Sequence, residues 1–415
     1  MMRAFCLLLL FLTPGLILGV EGEADTRLDY KAAPHNYWER PPQDAVTVAL
    51  EKIKSGELKV DTSDDRSFLT TLLQVLDVPV SSQLLVYSAT SMQSGIINPR
   101  NPRALYFNDE VYVGYVPGGL VEIMGVDPEV GGVFYIFDKP QPGTVTRTDR
   151  STRCFNCHAG SATQRVPGLL AESVAPIISG ASYDNYRRDE QGHQIPLADR
   201  FGGWHVTSAR PFGETKANIF ARNDGSGIKI VKVKPGEMWD VNKHLLPTSD
   251  ILPHLIHEHQ IGFDNQVIHA TYLAREVMSK GGFPSAADKA ALDEKARLLV
   301  RYLLFADEAK LPSGGITGDA QFSADFQEKR RVTKSGLSLK DLDLKTRMFK
   351  HRCSYMIYTP QWQRLPSILK DRVYAGMKAA LSGKSRDYAY LTAPERLAIV
   401  SILRETLPDL PADWR

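Results

Sequence analysis

Cys154-Phe155-Asn156-Cys157-His158 places two thiols and an imidazole within one short turn of chain. Cys-x-x-Cys-His is the attachment sequence of c-type haem. The thiols add to the two vinyl groups of the porphyrin, and the adjacent histidine reaches the iron as proximal ligand. A chain with one such sequence is expected to carry one covalent haem c, held by Cys154 and Cys157 with iron on His158. Whatever fold forms must bury a flat cofactor at this point. Two other chemistries use Cys-x-x-Cys. A thioredoxin-like dithiol needs a βαβ setting and no following histidine. A zinc site needs two further ligands, and there is no second Cys-x-x-Cys and no His-x-x-x-His pair.

The beginning of the chain agrees with a haem c protein. Met1-Met2-Arg3 is a basic start, Ala4–Val20 is almost wholly apolar, and Gly19 and Gly22 offer cleavage sites before Glu23-Ala24-Asp25. This pattern reads as a secretory signal peptide over 1–22. A retained membrane anchor is the competing reading, weakened by Pro14 and by a run near the lower limit for a span. Cys6 lies inside the run and would leave with it. Haem c is attached outside the bacterial inner membrane, so a periplasmic location is expected. No later stretch is long and apolar enough to span a membrane.

Roughly 390 residues would remain, enough for two cores or one large one. The net charge of +2 gives no electrostatic case for nucleic acid or anionic lipid. Beyond the two haem cysteines only Cys353 is left. Its neighbours Tyr355, Ile357 and Tyr358 point to a buried thiol rather than an intermolecular disulfide.

The expected fold class is α+β: an antiparallel β-rich block ahead of the haem motif, then a mainly helical haem-binding region. The division falls at 23–150 and 151–415, with one integrated domain as the alternative. Residues 23–45 read as a loose polar arm, and 46–78 as helical. Strands are expected at Leu84–Tyr87, Ala104–Asn108, Val111–Val116, Leu120–Met124 and Val133–Phe137, broken by turn chemistry at Asn108-Asp109, Pro117-Gly118-Gly119 and Gly131-Gly132. Ile228–Lys234 reads as a solvated edge strand bearing Lys229, Lys232 and Lys234. Helices are expected from Ser249 or Asp250 to about Lys280, over Ala287–Ala306, Leu339–His351, Leu365–Leu381 and Ala393–Thr406, with a long loop at 311–336.

The second axial position decides the chemistry: methionine or histidine closes the iron for electron transfer, and an open site permits binding or catalysis. At about 100° per residue, Leu255, Ile256, Phe263, Val267, Ala270 and Ala274 form the apolar face of the helix after Asp250. His259 falls on that face, with Gln266 two turns later, while His254 and His257 point towards solvent. His259 is therefore the candidate distal ligand; a satisfied core histidine is the plainer alternative. His205, behind Gly202-Gly203-Trp204, is the other imidazole candidate. His259, Gln266 and His205 are the candidate catalytic groups if the protein is an enzyme. Met238 and Met278 are methionine candidates, more often core filler. Trp204, Arg165 and Arg210 are candidates for contact with the porphyrin or its propionates.

Several runs resemble a family of large exported bacterial cytochrome c-domain proteins with a single haem. They are Ile97–Asp109, Val111-Tyr112-Val113-Gly114, Cys154–Ser161, Gly202-Gly203-Trp204, Glu258-His259-Gln260 and Arg352-Cys353-Ser354-Tyr355. The resemblance covers most of the chain in order, implies haem binding and export, and agrees with the choice of His259. One departure is the His-Met-Gly-Asn run that the family often has after Gly-Gly-Trp; here Gly213-Glu214-Thr215-Lys216-Ala217-Asn218 stands there.

A bare electron carrier needs only about a hundred residues to wrap one haem. Three functions are therefore weighed: an exported electron-transfer cytochrome, a peroxidase- or oxygenase-like haem enzyme, and a haem-based sensor or binding module. The partner would be a redox protein or a small-molecule substrate.

Overall fold

Short apolar runs punctuated by turn residues build an antiparallel sheet from β1 (Leu84–Val86), β2 (Arg103–Phe107), β3 (Val111–Tyr115), β4 (Val121–Asp127), β5 (Gly131–Phe137) and β6 (Arg147–Asp149). The β2–β3 hairpin turns on Asn108, whose side-chain oxygen accepts from the Glu110 and Val111 amides. β7 (Val174–Pro176) and β8 (Ser182–Asn185) form a separate hairpin. β9 (Trp204–His205) then returns from beyond the haem motif and pairs with β1, completing the order β6-β5-β4-β3-β2-β1-β9. β10 (Ile219–Asn223) and β11 (Ile228–Lys232) make a second hairpin with an exposed outer strand, as expected for a solvated edge. The computed structural model describes residues 28–414 apart from 142, 146, 187–191 and 235; the expected signal segment, with Cys6, lies outside the described residues.

Both faces of the large sheet are covered. Against one face pack α1 (Ala45–Ser55) and α2 (Asp65–Val75), the first capped by Asp44, which also accepts from Tyr135 at 2.7 Å. The opposite face carries Arg103, Leu105, Phe107, Tyr112, Gly114, Glu122, Met124, Phe134 and Ile136, which the register aligns across β2 to β5. On it lie the haem motif, with α3 (Phe155–His158), and the long α4 (Ile251–Ser279). Asp250 caps α4, as the sequence indicated, and Tyr112 donates to Asp264 at 2.8 Å. The remaining helices are α5 (Ala286–Leu303), α6 (Ala320–Glu328), α7 (Pro360–Gln363), α8 (Ser367–Leu381) and α9 (Ala393–Thr406). One hydrophobic cluster runs from Tyr30 through the sheet and α4 to Trp414. Among the described residues no helix is long and apolar enough to cross a membrane.

Four sequence expectations change. Every residue of α4 from Ile251 to Asn265 is buried, so His254 and His257 do not face solvent. The helix is enclosed by the sheet on one side, by α5 and by the turns at Gly192–Gln194 and Tyr355–Tyr358 on others, which no single-face periodicity describes. Residues 28–44 are not a loose arm: Tyr37 is fully buried and donates to the Gly132 carbonyl at 2.8 Å. The expected loop at 311–336 contains α6, capped by Asp319. The expected helix at Leu339–His351 is absent. There Asp343 accepts from the Lys345 and Thr346 amides, and this turn folds Phe349 back on Leu342.

Candidate functional site

The motif grows out of the sheet. The Ser151 amide donates to Phe134 on β5 at 3.1 Å, a single turn spans Thr152–Cys154, and α3 follows directly. Phe155 anchors it among Tyr30, Tyr37, Trp38 and Phe134, with ring centroids 4.9–5.3 Å away. Arg150 fastens the N-terminal segment over this cluster by donating to the Tyr37, Trp38 and Arg40 carbonyls. Cys154 is half-buried, Cys157 is exposed, and both are free thiols. Burial raises the Cys154 pKa.

His158 is held at two points. Its Nδ1 lies 2.8 Å from the Gly168 carbonyl oxygen, and the Gly168 amide donates back to the His158 carbonyl at 2.8 Å. Next along, Leu169 is clamped to α4 by Asn265, which accepts from its amide at 2.8 Å and donates to its carbonyl at 2.9 Å. A carbonyl can only accept, so Nδ1 carries the proton and Nε2 keeps its lone pair. This is the arrangement that metal-bound histidines use to fix tautomer and ring orientation. Burial, with a smaller contribution from Arg103, pushes the His158 pKa down to about 4 and keeps the ring neutral.

The sheet beside His158 has an incomplete cover. Phe107, Tyr112, Met124 and Phe134 form a fully buried row. In the next row Leu105, Glu122 and Ile136 are only partly buried, with Gly114 between them. Arg103 lies across this strip, donating to Glu122 at 3.1 Å, and its buried Nε has no hydrogen-bond partner. An unpaired guanidinium N–H is a ready donor for a carboxylate. Apolar walls, an orphaned arginine donor and an imidazole with a free Nε2 fit a haem with acidic edge groups. Its iron takes four ligands from the porphyrin, so one or two protein ligands complete it. Among the described residues no group of three or more His, Cys, Asp or Glu could hold a metal ion by itself.

The other sequence-selected residues fall in separate places. His259 is fully buried with both ring nitrogens partnered, Nδ1 to His193 Nδ1 at 2.8 Å and Nε2 to Ser354 Oγ at 2.8 Å. It stacks on Phe305, and none of these partners touches His158. The adjacent Glu258 pairs with Arg200 at 3.2 Å, and burial raises its pKa to about 7 against the pull of that arginine. His205 is sandwiched between Tyr87 and Trp239 at 4.3 and 3.6 Å. Gln266 lines a surface cavity of about 410 Å³ with Gln164, Gln194, His269 and Lys295. Arg165 stands with Phe155 and Trp38 at the motif's outer cavity, and Arg210 is exposed. Met278 is exposed and Met238 half-buried beside Phe220. Cys353 is fully buried, and that burial raises its pKa to about 12.

His257 is the residue that sequence reasoning set aside. Its ring lies 5.2 Å from Phe107, 5.7 Å from Tyr112 and 5.9 Å from Trp204, on the same sheet face as His158. Burial lowers its pKa to about 3, with further contributions from His254 and from Arg103, the guanidinium that also acts on His158. Only the helix's all-round burial could have revealed it. Comparison of the chain with protein-family models, with curated proteins and with solved structures finds no match to any of them.

Proposed function

We propose that this protein is an exported, periplasmic c-type cytochrome with one haem joined to Cys154 and Cys157 and His158 as proximal iron ligand. The reading is carried by the His158–Gly168 clasp, which frees Nε2 beside two unpaired cysteines and an incompletely covered sheet face. When bound, the haem supplies reversible one-electron chemistry. The chain's own contribution is to fix the proximal imidazole, shield one side of the porphyrin with the Phe155 cluster, and offer Arg103 to a negative edge group. The sheet and helical halves share one core, which suits a rigid site that changes little between oxidation states. Co-expression with the haem c attachment machinery tests the reading: the protein should be exported, and should keep one haem through denaturation and acid–acetone extraction.

A second reading, a peroxidase- or oxygenase-like haem enzyme, draws on the cavity at Gln266. It reaches the motif loop through Gln164, and its volume is that of a small-ligand site. Turnover of hydrogen peroxide by the haem-loaded protein, abolished by filling the cavity with Gln266→Trp, would favour it.

A further inference from the structure

We infer that His257 is the second axial ligand of the iron, which would make the site a six-coordinate bis-histidine centre. The inference rests on the haem reading above and names the residue on the other side of the metal. Three observations carry it. First, His257 is 4% exposed and makes no hydrogen bond among the described residues, yet its ring nitrogens are not among the fully enclosed, unpartnered polar atoms. A neutral imidazole held among aromatic rings with a lone pair left open to a small space is free to bind a metal. The other helix-α4 histidines near the sheet differ: His254 Nε2 meets Ser249 Oγ at 3.0 Å, and His259 is partnered at both nitrogens.

Second, the sheet brings the two imidazoles to one of its faces. His158 packs on Phe134 of β5, with ring centroids 4.7 Å apart. His257 packs on Tyr112 of β3 and Phe107 of β2. In the register Phe134 opposes Met124, and Met124 opposes Tyr112, so the anchoring rings stand two strands apart, or ~10 Å. One row along lie the partly buried Leu105, Glu122 and Ile136, with the buried Gly114 among them. Third, both rings stand on rigid supports: His158 is clasped by Gly168, and His257 is set on a fully buried turn of α4 between Trp204 and Phe107.

The test uses the haem-loaded protein. The wild type should be low-spin in both oxidation states and slow to bind carbon monoxide. His257→Ala should keep its covalent haem, become high-spin in the ferric state, bind carbon monoxide readily, and return to low spin when imidazole is added. His259→Ala should leave the spectrum unchanged. His257→Met covers the case in which the alanine variant does not fold: a thioether ligand should keep low spin and raise the reduction potential. A haem-loaded His257→Ala protein with an unchanged low-spin spectrum would overturn the assignment, as would a wild type that is already high-spin. Absence of covalent haem in the wild type would instead sink the underlying haem reading, and this inference with it.

Discussion

Asn265 on α4 and Leu169 beyond the motif are joined by two buried hydrogen bonds of 2.8 and 2.9 Å. This pair is the link between the helix and the loop whose Gly168 carbonyl orients His158. Asn265→Ala would leave a buried amide and carbonyl unpaired, at a cost of about 1–3 kcal/mol for each group left unsatisfied. Urea denaturation should show a loss of about 2 kcal/mol or more. In the haem-loaded protein the reduction potential should shift as well, because the proximal ring loses its fixed orientation. Loss of stability with an unchanged potential would separate the clamp from the iron.

The N-terminal segment gives a second test. Tyr37 is fully buried against Phe155 and donates to Gly132 at 2.8 Å. Tyr37→Phe should cost about 1 kcal/mol for the lost hydrogen bond. Tyr37→Ala should cost about 3–5 kcal/mol for the cavity. Equal, small effects in a denaturation series would contradict the packed arrangement of residues 28–44.

What could be read in advance follows a physical pattern. Strands β2 to β5 were legible because β-branched and aromatic runs are separated by Asn-Asp and Pro-Gly-Gly turns, which demand particular backbone angles, whereas Gly131 and Gly132, expected as a break, lie within β5. The start of α4 was legible from Asp250, a local cap. The orientation of His257 was not, because periodicity finds one apolar face and α4 is enclosed on all sides. At Leu339–His351 the apolar spacing suits a helix, but the Asp343 turn competes locally and prevails. In the candidate site the motif itself was plain, whereas Arg103, Glu122 and Gly114 are brought beside it only by sheet register.

Apart from His158 and His257, the proposed iron ligands, the other eight histidines have pKa values lowered, chiefly by burial, so stability should depend on pH. A folded-state pKa below the unfolded 6.5 gives stability that is present above that value and lost as pH falls towards the folded pKa, about 3 to 4 for most of them. Glu258 and Glu308, both raised to about 7 by burial, act in reverse: their contribution is present below 4.5 and lost as pH rises through 7. The histidines outnumber them. Each extra proton taken up on unfolding costs about 1.4 kcal/mol per pH unit. The urea midpoint should therefore fall between about pH 7 and pH 5; a flat or rising midpoint would contradict the burial of these rings.

Arg103 should set the potential of the centre. Beside a bound haem its positive charge would favour the reduced iron, so Arg103→Gln should lower the reduction potential while leaving the haem attached. A raised or unchanged potential would place the cofactor away from the Arg103–Glu122 pair.

The central claim is covalent haem at Cys154 and Cys157, and intact mass measured together with the alkaline pyridine spectrum tests it most directly. One haem per chain is expected in the exported protein, retained after denaturation, and none in the Cys154→Ala/Cys157→Ala double variant. A folded, exported wild-type protein with the mass of the polypeptide alone, made where haem c attachment is active, would contradict it.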